Sequence, residues 1–252
     1  MAGAAGLAYG WFEAGWLRTR VLDVTVDGLP AELDGLRVAH LSDFHLGVPS
    51  RGAVAVERAI AWVGERRPDL VCITGDLLSR PRGRQALDEA LAGLDAYAVL
   101  GNHDVAITRD PFSRPAELDG LPATLLVDES RTIDLRGVPV QIAGAAPRAR
   151  GNVPEPDLGA AFRILLSHYP RLRAEGYELV LAGHMHAGQI VLPYPGGKIN
   201  LAHVRARLNE GLYREGGVTL HVSPGLGTTF VPFRFFARPE VTELVLRAAS
   251  ST

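Results

Sequence analysis

Residues 36–45 read LRVAHLSDFH, an apolar run that ends at a polar turn. Such a run is typical of a buried β-strand that feeds a loop. Residues 70–76 (LVCITGD) and 96–104 (AYAVLGNHD) repeat the pattern. Between these runs, residues 54–63 carry apolar side chains at helical spacing, and residues 84–94 are predicted as a second helix. The alternation of strand and helix predicts right-handed crossovers and a parallel sheet.

The remainder of the chain is richer in strands than in helices. Predicted strands cover residues 20–26, 124–127, 132–135, 138–143, 163–167, 179–182, 219–223 and 241–246. Several of these runs are short and follow one another closely, as strands of hairpins do. We therefore expect an α/β fold in which a two-layer β-sandwich is flanked by helices. No repeat, low-complexity tract or Ser/Gly-rich linker divides the sequence, so residues 19–252 are predicted to form one domain.

The composition limits the classes of partner. A chain of 252 residues with 47% hydrophobic and 21% charged residues is long enough to bury a substantial core. The formal net charge is -2, so there is no basic excess to attract nucleic acid, and we expect no nucleic-acid partner. The single cysteine, Cys72, lies in an apolar run, which predicts a buried thiol and excludes an intrachain disulfide.

Residues 1–18 form an apolar N-terminal arm that begins MAGAAGLAYGWFEAGW. The first basic residue is Arg18, whereas a signal peptide requires a positive start and a membrane span requires about 20 apolar residues. Glu13 and the short length also argue against both. Two interpretations stay open: the first is a helix or arm packed on the domain, and the second is the stub of a membrane anchor or a segment lying at a membrane surface. We expect a cytoplasmic or peripherally membrane-associated protein, without a complete signal peptide or membrane span.

Polar side chains cluster just after the predicted strand ends. They are Asp43, His45, Asp76, Asn102, His103, Asp104, His168, His184 and His186. A single aspartate after a strand is usually a cap or turn residue, but loops beyond the carboxyl ends of parallel strands converge on one crevice. Carboxylate, imidazole and amide groups are ligands for divalent ions such as Mn²⁺, Fe²⁺ and Zn²⁺. Five of the eight histidines lie in these loops, so the set as a whole predicts a metal site.

The other three histidines receive ordinary interpretations. His40 lies in a predicted buried strand and is interpreted as structural. His203, near Arg205 and Arg207, is assigned to a solvated face, and His221 in a predicted strand is left unassigned.

These motifs resemble the signature blocks of a known family. Residues 43–45 (DFH), 75–76 (GD), 101–104 (GNHD), 167–168 (SH) and 183–186 (GHMH) are similar, in order and spacing, to those of the calcineurin-like metallophosphoesterases. The opening YGWFE and the later HVSPGLGT resemble the bacterial subgroup related to YkuE and YaeI. The resemblance implies a four-layer αββα fold of the metallo-dependent phosphatase type.

The resemblance also implies a role for each residue. Two divalent ions, Mn²⁺ before Fe²⁺, Zn²⁺ or Mg²⁺, would lie about 4 Å apart and share an attacking hydroxide. The first ion would be held by Asp43, His45 and His186, the second by Asn102, His168 and His184, and Asp76 would bridge both. His103 would protonate the leaving alkoxide, and Asp104 would orient the His103 ring.

The implied function is metal-dependent hydrolysis of a phosphomonoester or phosphodiester. The resemblance suggests UDP-2,3-diacylglucosamine, cut at its pyrophosphate in lipid A biosynthesis, or another lipid-linked phosphate, and cyclic nucleotides stay open. The alternative is an inactive interaction scaffold of the same fold, but such a protein is expected to lose ligands or the GNHD histidine. All seven ligands and His103 are present, which favours an enzyme.

Residues 229–239 read TFVPFRFFARP and contain four of the eight phenylalanines. The rings either close the core under a long loop or form an apolar lip for acyl chains or a membrane surface. In the second case Arg234 and Arg238 would stand at the edge of the lip, near phosphate groups.

Overall fold

The computed structural model of the protein describes residues 2–111, 113–114, 117–147, 153–202 and 206–249. This part of the chain contains three α-helices: α1 (Ala2–Glu13), α2 (Gly52–Arg66) and α3 (Arg84–Leu91). Its strands, in chain order, are β1 (Arg18–Val26), β2 (Arg37–Leu41), β3 (Leu70–Thr74), β4 (Ala96–Val99), β5 (Thr124–Leu125), β6 (Glu129–Leu135), β7 (Val138–Ala145), β8 (Phe162–Ser167), β9 (Leu179–Ala182), β10 (Val191–Tyr194), β11 (Gly197–Asn200), β12 (Gly211–Glu215), β13 (Val218–Val222) and β14 (Glu240–Ala248).

Two six-stranded sheets form the centre of the fold. The first has the order β1-β14-β2-β3-β4-β5, in which β2 to β5 run parallel. The last strand, β14, lies between β1 and β2, parallel to β1 and antiparallel to β2. The second sheet has the order β12-β13-β9-β8-β7-β6, with four parallel strands inside and an antiparallel strand at each edge. The predicted two-layer α/β sandwich is confirmed.

The core lies between the two sheets and on their outer faces. Between the sheets, fully buried side chains such as Cys72, Ile142 and Leu166 belong to one continuous apolar cluster. Helices α2 and α3 cover the outer face of the first sheet with their apolar stripes. The outer face of the second sheet is covered by irregular segments that include Leu172 and Tyr177. On this side, the described part of the chain forms the outer layer without a helix.

Prediction and structure agree best where a strand is buried on both faces. The observed bounds of β3 and β9 match the predicted residues 70–74 and 179–182. The hairpin of β10 and β11 and the edge strand β12 were not predicted. Most of their side chains are at least partly exposed, so the sequence carries no apolar run or alternation that would mark them.

The N-terminal arm packs on the loop that contains the four phenylalanines. The Tyr9 ring lies 6.1 Å from the Phe235 ring, and the Trp11 ring lies 6.4 Å from the Phe233 ring. The buried carboxylate of Glu13 accepts hydrogen bonds from backbone N–H groups of the same loop. The arm is therefore a helix that packs on the domain, as the first of the two interpretations of residues 1–18 expects. Of the helices described, none combines the length and apolar character needed to cross a bilayer.

Candidate metal centre

The predicted site residues all follow the carboxyl ends of strands, and both sheets contribute. They are Asp43 and His45 after β2, Asp76 after β3, Asn102, His103 and Asp104 after β4, His168 after β8, and His184 and His186 after β9. All are buried except His184, which is half-buried. The edge of the sandwich therefore gathers carboxylate, imidazole and amide groups into one place.

A first cluster consists of Asp43, His45, Asp76 and His186. One ligand atom of each lies within 4.8 Å of the others. Nε2 of His45 is 3.1 Å from Nε2 of His186, which in turn is 3.4 Å from Oδ1 of Asp43. Two imidazole nitrogens and two carboxylates facing one point match the donors that borderline divalent ions prefer.

A second cluster shares Asp76 with the first and adds Asn102, His168 and His184. The ligand atoms of Asp76, His168 and His184 also lie within 4.8 Å of one another. Nε2 of His168 lies 3.0 Å from Oδ1 of Asn102 and 3.1 Å from Nδ1 of His184. The structure thus brings all seven predicted ligand residues together, in two groups joined by one carboxylate.

The two oxygens of Asp76 have different surroundings. Oδ1 accepts a hydrogen bond from the backbone N–H of His103 at 2.8 Å. Oδ2 is buried and has no hydrogen-bond partner in the described part of the chain. It lies 3.4 Å from Nε2 of His45 and 3.3 Å from Nε2 of His168. A buried carboxylate is costly unless positive charge lies beside it, and a cation on each side of Oδ2 would supply that charge. The donor set therefore fits bound metal.

Protonation of these groups follows from burial and from their mutual charges. Burial opposes ionisation of Asp76, but the neighbouring histidines, His168 first, hold the pKa of Asp76 well below its ordinary value. Burial lowers the pKa of His45 to about 3, so its ring is neutral and its lone pair is free for a metal. For His168, burial also lowers the pKa, but Asp76 outweighs burial and the pKa rises to about 9. A cation at the second cluster would displace the proton of His168.

Backbone strain is concentrated at the same residues. Five non-glycine residues of the two clusters have positive φ angles: Asp43 (54°), His45 (47°), Asp76 (53°), His184 (73°) and His186 (50°). Each such residue costs about 1 kcal/mol or more and persists only where its surroundings fix it. Gly101 and Gly183 make room for this arrangement, because a Cβ atom at either position would overlap Asp76 or Ser42.

His103 lies beside the clusters, and Asp104 differs from its expected position. Nε2 of His103 is 4.0 Å from Oδ2 of Asp76, and Nδ1 is 3.2 Å from Oγ of Ser113. The Asp104 carboxylate instead accepts hydrogen bonds from the backbone N–H groups of three residues, namely Leu77, Leu78 and Gly101. The prediction that Asp104 orients the His103 ring is corrected: Asp104 joins the loop after β4 to the loop after β3.

The profile of the family described as calcineurin-like phosphoesterase matches residues 36–188, a stretch that contains every residue of both clusters. The chain belongs to this family.

Curated members of the calcineurin-like family align with nearly the whole chain. YkoQ of Bacillus subtilis, an uncharacterized metallophosphoesterase, is 31% identical over 86% of this chain and 85% of its own length. YkuE of the same organism is 29% identical over 99% of this chain and 94% of its own length. The phosphodiesterase YaeI of Escherichia coli is 28% identical over 94% and 89%. The protein is a metal-dependent phosphoric ester hydrolase.

Solved structures resemble the chain more distantly. The protein TT1561 of Thermus thermophilus aligns with 75% of this chain and 89% of its own, at 14% identity and a TM-score of 0.40.

Residues that fix the ligand rings of this family member were not predicted. Oγ of Ser79 lies 2.8 Å from Nδ1 of His45, and the carbonyl oxygen of Thr74 lies 2.8 Å from Nδ1 of His168. Such partners fix the tautomer and orientation of a metal-binding imidazole. Ser79 belongs to none of the quoted motifs, and a backbone carbonyl leaves no side-chain signal. Only the fold identifies them.

The histidines outside the clusters have structural surroundings. His40 and His221 are fully buried between the sheets, with their Nδ1 atoms 2.7 Å apart, and Nε2 of His40 is 2.9 Å from Oγ1 of Thr74. Burial lowers the pKa of His221 to about 3, so the pair is neutral. His203 and Arg205 lie outside the described residues.

Because one carboxylate joins the two clusters, Asp76→Asn is expected to weaken metal binding at both. Loss of a hydrogen-bond partner outside the ligand set already costs about 10–100-fold in affinity, so loss of the shared anion should cost at least about 100-fold. Metal content after dialysis against Mn²⁺ measures this effect. Asp69→Asn is the matched control, since Asp69 lies at the opposite end of β3 and should keep the wild-type content. Normal metal content in Asp76→Asn would contradict the shared-ligand assignment.

Proposed function

We propose that this phosphoesterase holds two divalent ions at once and hydrolyses a phosphodiester or phosphomonoester beside them. The observation that carries the proposal is the position of the buried oxygen Oδ2 of Asp76, which lies 3.4 Å from Nε2 of His45 in one cluster and 3.3 Å from Nε2 of His168 in the other. If only one ion were bound, the residues of the other cluster, including its histidine beside Asp76, would have no metal to hold. Mn²⁺ is the proposed ion because the donors mix carboxylate oxygen, amide oxygen and imidazole nitrogen.

The proposed ligand sets follow the two clusters. Asp43, His45 and His186 would hold one ion, Asn102, His168 and His184 the other, with Asp76 between them. When bound, such a pair of ions supplies positive charge to phosphoryl oxygens and lowers the pKa of bound water. The chain itself contributes the neutral imidazole of His45, the negative charge of Asp76, and loops whose backbone has positive φ angles at the cluster residues.

His103 is the proposed proton donor to the leaving oxygen. Its Nδ1 side is occupied by Ser113, whereas Nε2 faces the clusters and lies 3.2 Å from Oγ1 of Thr108 and 3.4 Å from Oγ1 of Thr229. Asp110, which the sequence did not mark, accepts hydrogen bonds from the Thr229 hydroxyl and the Phe230 N–H. These contacts hold the loop after β4 against residues 229–230, so His103 has a fixed place beside the ligands without belonging to them.

The proposed reaction predicts metal-dependent turnover of a chromogenic phosphodiester. Treatment with a chelator should abolish the activity, and Mn²⁺ should restore it, with Fe²⁺, Zn²⁺ and Mg²⁺ compared in parallel. Protein that is kept metal-free after chelation is the control and should stay inactive. Full turnover in protein shown to be metal-free would exclude the mechanism.

His103→Ala should keep both ions and lose about 10²–10⁴-fold in turnover rate, the usual range for general acid–base assistance. A nitrophenolate leaving group needs less protonation, so the loss should be smaller with it than with an alkyl alcohol. The measurement is metal content beside turnover for two diesters that differ only in leaving group. Loss of a metal ion from His103→Ala, or an equal loss of rate on both diesters, would contradict the role.

A lipid-linked or otherwise apolar phosphate ester is the proposed substrate class. A cavity of about 310 Å³ opens beside the first cluster, lined by His186, Gly188, Gln189, Ile190, Leu201, Ala202, Thr229, Phe230 and Val231. His186 and Thr229 connect it to the ligands and to His103, while most other lining groups are apolar. Such a cavity suits an alkyl or acyl group carried on a phosphate that lies at the metals.

The four phenylalanines of residues 229–239 differ in exposure, so each of the two interpretations of this loop applies to some of them. Phe233 and Phe235 are half-buried against the arm, whereas Phe230 and Phe236 are 50% and 60% exposed. Arg234 is fully buried, so the prediction that it stands at the edge of a lip is wrong. Phe236 lies beside the exposed Tyr9 ring of the arm, with the ring centroids 5.8 Å apart, and the two rings form an apolar surface. We propose that this surface makes peripheral contact with a membrane, and that the protein is cytoplasmic or membrane-associated.

Phe230→Ser should reduce hydrolysis of a lipid-linked diester in detergent micelles more than hydrolysis of a soluble diester. Removing one ring from an apolar subsite costs about 1–2 kcal/mol, which corresponds to about 10-fold in kcat/KM. Leu158→Ser is the matched control, because Leu158 is 93% exposed and does not line the cavity. An equal loss on both substrates, with a lowered melting temperature, would show that Phe230 serves folding instead.

A further inference from the structure

Arg234 is a fully buried cation inside an otherwise aromatic loop. Its guanidinium donates hydrogen bonds to backbone carbonyl oxygens at Gly227 (2.7 and 3.0 Å), Ala237 (2.9 Å) and Pro224 (3.0 Å). Nη1 also donates to the backbone carbonyl oxygen of His186 at 3.4 Å. The Arg234 guanidinium is planar and has five N–H donors. Most of these donors bind backbone carbonyl groups close to His186, a candidate metal ligand.

The carbonyl groups that Arg234 holds belong to a turn that supports Asp43. Pro224 and Gly227 flank this turn, in which Leu226 N donates to Ser42 O at 3.0 Å and Gly227 N donates to Asp43 O at 2.6 Å. A Cβ atom at Gly225 would approach Cβ of Asp43 to 2.8 Å, which shows how closely the turn covers this residue. The guanidinium therefore supports Asp43 from one side and His186 from the other.

Both supported residues have strained backbone. Asp43 and His186 have φ angles of 54° and 50°, and the ligand geometry at the first cluster lasts only as long as neighbouring groups fix these angles. The second cluster has a different support, because His168 is oriented by the carbonyl oxygen of Thr74. Of the two clusters, Arg234 contacts only the first among the described residues, through the His186 carbonyl oxygen.

The N-terminal arm fixes the position of Arg234 itself. The backbone N–H of Arg234 donates to Gly10 O at 3.0 Å. The fully buried carboxylate of Glu13 accepts hydrogen bonds from Phe236 N at 3.0 Å and Ala237 N at 2.7 Å, the two residues after Phe235. Glu13 also places a negative charge near the buried guanidinium. Glu13, whose charge argued against a membrane span in the sequence, thus holds the loop behind the site in place.

We propose that Arg234 is a positioning residue for the first metal cluster, and that Glu13 of the N-terminal arm holds it in place. The proposal rests on the proposed two-metal function and names the residues on which one of the two ions depends. Its distinctive consequence is selectivity. Disturbing Arg234 weakens the binding of the ion at Asp43, His45 and His186. The ion at Asn102, His168 and His184 stays bound.

Titration of Mn²⁺ into single-site backgrounds tests this selectivity. Asn102→Ala retains the first ion, and His45→Ala retains the second. Adding Arg234→Gln to Asn102→Ala should weaken the retained ion by about 10–100-fold, whereas adding it to His45→Ala should leave the affinity unchanged. Glu13→Gln should act in the same direction as Arg234→Gln, with a smaller effect. Arg234→Lys keeps the charge but loses the fork, so it should restore only part of the affinity.

Arg238→Gln is the matched control. Arg238 also donates to backbone carbonyls of the arm region, at Trp16 and Leu17, but it makes no hydrogen bond to His186 or to the turn at residues 224–227 within the described chain. Its metal affinity should equal that of wild type.

Folding is monitored by circular dichroism and melting temperature. If Arg234→Gln does not fold, Glu13→Gln, which keeps the guanidinium, decides by the same two titrations. A folded Arg234→Gln that binds the first ion normally, or that weakens both ions equally, overturns the proposal. Wild-type protein that binds fewer than two ions overturns the two-metal function instead.

Discussion

The buried carboxylate of Asp76 is the constraint on which the rest of the site depends. A carboxylate buried between two sheets is tolerated only when donors or cations surround it. Oδ1 of Asp76 has the His103 N–H, and histidines that follow strands of both sheets supply the surroundings of Oδ2. Since those strands come from both sheets, the sandwich must close before the carboxylate has its partners. The electrostatics of one side chain therefore require the whole two-layer architecture.

The surrounding turns follow from the same constraint. To bring ligands from successive loops to one point, the chain turns sharply at each strand end, and residues with side chains adopt the left-handed conformation there. Glycines at 101 and 183 supply the space that these turns need. The strain is offset by hydrogen bonds from outside the two clusters, such as the bond between Ser79 and the His45 ring and the bond from Arg234 to the His186 carbonyl oxygen. The geometry of the cluster residues therefore depends on the residues that hold their backbone and rings in place.

The sequence predicted the residues of the two clusters because their signals are local. An apolar strand followed by Asp, His or Asn can be recognised within a few residues, and the parallel arrangement then places the strand ends together. The family resemblance grouped the residues into two sets, which is how they lie in space. The buried strands were located for the same reason, as β3 and β9 show.

Long-range polar contacts could not be predicted in this way. Asp104 follows His103 directly, so a contact between their side chains was the natural expectation, but its carboxylate accepts from backbone N–H groups of another loop. Arg234 stands among aromatic residues, where a charge suggests an exposed edge. It is buried because carbonyl groups from separate segments surround it, and no pattern in the neighbouring sequence reports that environment.

The position of β14 has a consequence for how the chain acquires its structure. β1 and β2 are close in sequence, but in the first sheet they are separated by β14, which pairs with both. During synthesis β14 leaves the ribosome after all the other described strands, so the first sheet stays divided until β14 has been made. Contacts between such distant parts of a chain also slow folding, because the loop-closure entropy must be overcome before pairing is gained. The nascent protein therefore exposes the edges of β1 and β2, and binding of a chaperone at these edges would protect it until β14 inserts.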